Sequence, residues 1–160
     1  MAKERAAAVA DLFGGTGPNA PTSRRPGTGG GSLPLSLLKK ITGKSQSVRA
    51  IQFLGLLCVP EGKKAGKPLK LADFQCKFVK GALARKVMVG ILSIARGNAK
   101  TALSAGLALA ELVGALEEQP QPKREIILAA RNRDQARTAF NFLLGYIQGM
   151  PAADRSLFTI

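Results

Sequence analysis

Histidine and tryptophan are absent from this chain and tyrosine occurs once. Without imidazole, histidine-centred metal sites and histidine-based proton transfer are excluded. With a single Tyr and seven Phe, there are too few rings, in too apolar a context, to interleave with nucleic-acid bases, which weakens the case for a stacking platform. Cys58 and Cys76, the two cysteines present, match neither a zinc spacing nor a disulfide framework and read as buried reduced thiols. Acidic residues are scarce: ten, against twenty-four Lys and Arg, for a net charge of +14. Long apolar runs are lacking as well. The longest, residues 101–116, is broken by Ser104 and Glu111 and is shorter than a membrane span requires. Residues 1–12 carry Glu4 and Asp11 and have no apolar centre of signal-peptide length, so a cytoplasmic protein with no membrane partner is expected.

What is present is material for one domain: 160 residues, 46% of them hydrophobic and 21% charged. The basic surplus is unevenly placed. Residues 1–50 hold 8 basic and 2 acidic side chains, residues 51–100 hold 10 and 2, and residues 101–160 hold 6 and 6. A surplus of this size points to polyanions, because Lys and Arg gain free energy by releasing phosphate counterions. With few aromatics, contact through the nucleic-acid backbone is the expected mode.

Residues 1–34 read as a flexible Gly- and Pro-rich basic arm, with a short Ala-rich helix possible at 2–13. Residues 35–160 read as the folded part. A helical turn is expected at 36–40 and a helix at 49–57, with Ile51, Leu54, Leu56 and Leu57 on one side. The Lys- and Gly-rich stretch 60–70 breaks that pattern and reads as a solvated turn. A helix follows at 71–83, its apolar stripe made by Leu71, Phe74, Phe78 and Val79. The run VMVGILSI at 87–94 is short and nearly continuous in hydrophobicity, as in a parallel strand buried on both faces. Helix is expected at 101–117, stopped by Pro120 and Pro122, then a second buried strand at 125–130 and a helix at 134–147 carrying Ala136, Ala139, Phe140, Leu143, Leu144 and Ile147. Strand, crossover helix and strand imply a right-handed βαβ unit in a three-layer α/β fold with a parallel sheet.

Ligands of such folds sit beyond the carboxyl ends of the strands. That place is occupied by Ala95, Arg96, Gly97, Asn98, Ala99, Lys100 and Thr101. A phosphate-cradling loop needs small residues that let backbone N–H groups converge, then a Lys for the β- and γ-phosphates and a Ser or Thr for magnesium. Lys100 and Thr101 meet the last two requirements. The strict Walker A spacing would place glycines at 94 and 99, where Ile94 and Ala99 stand. Gly97 and Asn98 keep the loop small and able to turn, and the methyl of Ala99 is accommodated if its φ is negative.

These residues resemble the large terminase subunits that package DNA in tailed bacteriophages, in the N-terminal part of their ATPase domain. Arg96-Gly97-Asn98-Ala99-Lys100-Thr101 is similar to the family's deviant Walker A loop. The stretch 66–75, GKPLKLADFQ, resembles the segment that ends in the adenine-recognising glutamine, and 125–140 resembles the second strand and its following helix. The resemblance implies a P-loop fold and the cofactors ATP and Mg²⁺. It implies that Lys100 holds the β- and γ-phosphates, Thr101 ligates Mg²⁺, the backbone of Gly97, Asn98, Ala99 and Lys100 wraps the phosphate, and Gln75 reads adenine. Arg96 would sense or stabilise the γ-phosphate during phosphoryl transfer, the one catalytic assignment. As partners it implies double-stranded DNA, a portal protein, a small terminase subunit and a homo-oligomeric ring, in the cytoplasm of a bacterial host. Asp134, Gln135 and Arg137 read as the polar start and solvated face of a helix.

The acidic pair that hydrolysis needs after an apolar strand is not found: Glu117 and Glu118 follow a helix, and Asp154 falls in a loop-like stretch. Nor is there a nuclease domain. The chain is therefore expected to be a fragment or a degenerate prophage remnant, incompetent for turnover alone. The competing expectation is a non-enzymatic basic α/β protein that binds nucleic acid without nucleotide.

Overall fold

The computed structural model describes residues 35–118 and 124–159, so the arm expected at 1–34 lies outside the described residues. The elements are a 3₁₀ helix at Ser36–Lys40, then α1 (Gln46–Leu56), α2 (Asp73–Ala82), α3 (Lys100–Leu112), α4 (Arg133–Gln148) and α5 (Ala152–Arg155). No described helix is long and apolar enough to cross a membrane.

Local chemistry accounts for the helix ends. Ser45 caps α1, its Oγ accepting from the Val48 N–H, and Asn132 caps α4 by accepting from the Gln135 N–H at 2.9 Å. The helix expected to run to 117 stops at Leu112, and prolines are not the cause. Gly114 takes a φ of +79°, the Ala115 N–H donates to the Ala110 carbonyl at 2.8 Å, and the Gly114 N–H donates to Glu111 at 3.0 Å. This is a Schellman ending, in which a left-handed glycine closes the orphan carbonyls of the last turn. Arg49 of α1 reinforces it, donating to the Ala115 carbonyl at 2.9 Å and the Glu117 carbonyl at 3.0 Å.

The core lies where α1, α3 and α4 meet. Phe53 and Leu54 of α1, Leu103 and Leu109 of α3, and Tyr146 and Ile147 of α4 are all buried, joined by Val79 of α2. Gly106 lets α3 approach closely: a Cβ there would collide with the Leu54 side chain. Small residues elsewhere around this helix, Ala105, Ala108 and Ala110, are also buried. Of the stripes expected from sequence, Leu54, Leu57, Val79, Leu143 and Ile147 are buried, whereas Phe74 and Phe140 are exposed.

Asp154 departs from the loop expectation. It sits in α5, 2% exposed, and accepts from the Ser36 backbone N–H and the Ser36 hydroxyl, each at 2.7 Å. Burial alone would raise its pKa. The hydrogen bonds from Ser36 and Leu37 and the charge of Lys40 outweigh that and hold it below the ordinary carboxylate value.

The parallel sheet is absent from the described residues, which contain one isolated antiparallel bridge, Cys58 with Pro68, and no β-ladder. Residues 87–94 and 124–130 carry neither helix nor ladder. Their side chains explain the difference from expectation. Ile126 and Leu128 pack on the core while Ile127 is exposed, and Leu92 packs while Met88, Val89 and Ile91 face outward. Each segment has one neighbour layer, the helices, and lacks the lateral partners a ladder requires. Along the chain the two segments lie on either side of α3.

Candidate functional site

The approach to α3 contains two left-handed residues. Gly97 has a φ of +85° and Ala99 a φ of +53°. The condition stated for accommodating the Ala99 methyl, a negative φ, is therefore not met. The chain must reverse from the extended segment into a helix over a few residues, and Ala99 takes a left-handed conformation that glycine adopts more readily. For an L-residue this costs roughly 1 kcal/mol. Asn98 closes the turn, its Nδ2 donating to the Ala95 carbonyl at 3.2 Å.

Around this turn the expected residues gather. Lys100 and Thr101 open α3, whose first N–H groups have no intrahelical partners. The Lys100 ammonium is folded back on its own loop, donating to the Ile94 carbonyl and, at 3.5 Å, to the Ala95 carbonyl. Arg96 is exposed. Gln75 is 7% exposed; its Oε1 accepts from the Ala72 N–H at 2.9 Å, capping α2, and its Nε2 donates to the Asn98 carbonyl at 3.2 Å. Asp134, Gln135 and Arg137 sit exposed at the start of α4, away from this group.

Loop and helix end form one wall of a cleft of about 1310 Å³. The opposite wall is the stretch expected to be merely solvated. Its two arms are tied by Val59 N–H to Lys67 carbonyl and Gly66 N–H to Val59 carbonyl, each at 2.9 Å. Positive φ angles of +84° at Gly62 and +76° at Gly66 make the turn. This hairpin rests on α4, where Pro60 fills the space that a Cβ on Gly145 would need. It contributes Lys64, Lys67 and Lys70 to the cleft, facing Arg96 and Lys100, with Glu61 the one acidic residue among those described as lining it. The sequence signal was there: four lysines between 63 and 70, just before Gln75, with glycines spaced to form a turn.

Phe142 and Tyr146 of α4 also line the cleft. Tyr146 donates its hydroxyl to the Ala102 carbonyl at 3.1 Å, and burial pushes its pKa up to about 12. It is a neutral wall that holds the first turn of α3 in place. A large cleft with five cations and one anion suits an extended polyanion carrying an apolar group, which describes a nucleoside triphosphate. For magnesium the fit is narrower. Thr101 lines the cleft, and no group of three or more acidic or cysteine side chains able to hold a metal is found among the described residues.

The arrangement is a cation-lined cleft at the start of a helix, and comparisons with known proteins place the chain in a family. The family described as "Terminase large subunit, ATPase domain" matches residues 70–153, and this chain belongs to it. A curated relative, the terminase large subunit of Enterobacteria phage HK97, is 39% identical over 106 residues, 64% of this chain and 20% of the relative. The chain therefore spans about a fifth of that relative's length. No solved structure matches the chain. Gln75 and residues 96–101 fall inside the family match, whereas Lys64 and Lys67 lie before it.

Proposed function

We propose that this chain carries the nucleotide-binding front part of a phage DNA-packaging motor, seating ATP in the cleft between loop 96–101 and hairpin 59–70. The observation that carries this reading is the convergence of Lys64, Lys67, Arg96 and Lys100 on one cleft at the start of α3. Lys100 would leave the Ile94 and Ala95 carbonyls for the β- and γ-phosphates. Backbone N–H groups of residues 97–100 would wrap the phosphate, and the Thr101 hydroxyl would hold Mg²⁺, which supplies charge neutralisation when bound. Arg96 would face the γ-phosphate.

Double-stranded DNA, a portal protein, a small terminase subunit, a ring of copies and the host cytoplasm complete the proposal, all implied by the family. The same reading makes 87–94 and 125–130 strands of a P-loop sheet that gain ladder partners from further strands. Translocation and hydrolysis would need acidic residues that loop 96–101 does not provide.

The test is ATP binding by calorimetry with and without Lys100→Met. Wild type should bind in a magnesium- and salt-dependent manner, and the variant should lose at least tenfold in affinity, about 1.4 kcal/mol, because a charge-assisted contact to phosphate is removed. Equal binding by both proteins would refute the loop assignment. DNA binding with no ATP binding in wild type would favour the alternative of a basic nucleic-acid-binding protein.

A further inference from the structure

Gln75 is buried between α2 and the phosphate loop, and its amide is engaged at both ends. It is not among the described residues that line the cleft. Reading a base edge takes a donor and an acceptor presented together to the ligand. Here the acceptor serves the Ala72 N–H and the donor serves the Asn98 carbonyl.

The Asn98 carbonyl belongs to the peptide that joins Asn98 to Ala99. In a trans peptide the C=O and N–H point in opposite directions. Drawing the Asn98 oxygen toward buried Gln75 therefore turns the Ala99 N–H away from Gln75, toward the open side of the loop. A flip of this peptide would also change the φ of Ala99, now +53°, which a non-glycine residue holds only under constraint. The Gln75 bond is a constraint of that kind.

Resting on the reading of loop 96–101 as the triphosphate site, we propose that Gln75 is a positioning residue for phosphate rather than a reader of the base. By holding the Asn98 carbonyl it fixes the 98–99 peptide, keeps Ala99 left-handed and presents the Ala99 N–H to the polyphosphate whatever nucleoside is attached. The role requires the side-chain donor, and the cap on Ala72 requires only the acceptor.

Gln75→Glu separates these functions, since a carboxylate still accepts from Ala72 and cannot donate to Asn98. Binding of ATP, GTP and inorganic tripolyphosphate to the 160-residue chain and to this variant is measured by calorimetry. Affinity for all three ligands is expected to fall by a common factor of about five- to tenfold, the scale of one hydrogen bond. A loss confined to ATP, or no loss for any of the three, overturns the proposal.

A second measurement does not depend on the variant folding. Proton exchange of the Gln75 side-chain amide in wild type, followed by NMR, should be slow in the free chain and stay slow with tripolyphosphate added. Fast exchange in the free chain overturns the tether. Wild type that binds none of the three ligands refutes the phosphate-site reading itself, and the exchange measurement then still decides whether the Asn98 bond exists.

Discussion

The helices around α3 and the two extended segments beside it are built from similarly apolar sequence, yet they end in opposite environments. Leu103, Leu109 and Val113 are fully enclosed, whereas Met88 is 93% exposed and Ile91 84% exposed. What separates them is periodicity. A helical stripe recurs on one face, so one layer of neighbours buries it. A continuous apolar run needs cover on both faces and hydrogen-bond partners at both edges. The helices are satisfied by what is present, and the extended segments are satisfied on one side.

The comparison is tested most severely by paired truncations. Leu109→Ala should cost about 3 kcal/mol of unfolding free energy in urea titrations, the scale of an enclosed leucine. Ile91→Ala should change it by less than about 0.5 kcal/mol. Equal costs would mean that the extended segments are covered in solution.

A polar contact that holds the helical side together comes next in size. Asp154→Ala should cost about 2 kcal/mol near neutral pH, because it removes two charge-assisted hydrogen bonds to Ser36. The folded-state pKa of Asp154 lies below the ordinary value of 3.8, so the ionised group stabilises the fold above that value. The contribution is lost as pH falls through the depressed folded pKa. Stability of wild type and variant, measured by denaturation from pH 7 downward, should converge below about pH 4, and a gap independent of pH would contradict the role of the charge.

The smallest effect is expected at the junction of the two regions. Ala99→Gly should raise stability by about 0.5 kcal/mol, relief of the left-handed alanine being partly offset by the greater freedom of glycine in the unfolded chain. Thermal unfolding read by circular dichroism would show it. A lower midpoint would mean that Ala99 is not held at positive φ in solution.

Much of this was legible from residues. Three of the four longer helices announced themselves through apolar spacing and α3 through its Ala and Leu content, and Arg96 to Thr101 through small residues followed by Lys and Thr. The family was legible from three ordered blocks of residues. Other features were not, each for a physical reason. Pairing of 87–94 and 125–130 depends on lateral partners that a hydrophobic run cannot reveal. The burial of Asp154 depends on Ser36, far away in sequence, and local polarity suggests a loop. The engagement of Gln75 with Asn98 is a contact between a helix start and a distant turn, invisible to any local pattern. The left-handed φ at Ala99 went against intrinsic preference, and only the glycine of the strict motif hinted at it.

The bond between Ser36 and Asp154 joins positions 118 residues apart. In mechanical terms it is a clasp: tension applied across those two points loads a pair of short hydrogen bonds before it reaches the packed helices. That sets where such a pull is first felt, and protonation of Asp154 would weaken the clasp, because a neutral carboxyl accepts less strongly than a carboxylate, while leaving the helix contacts to carry the strain.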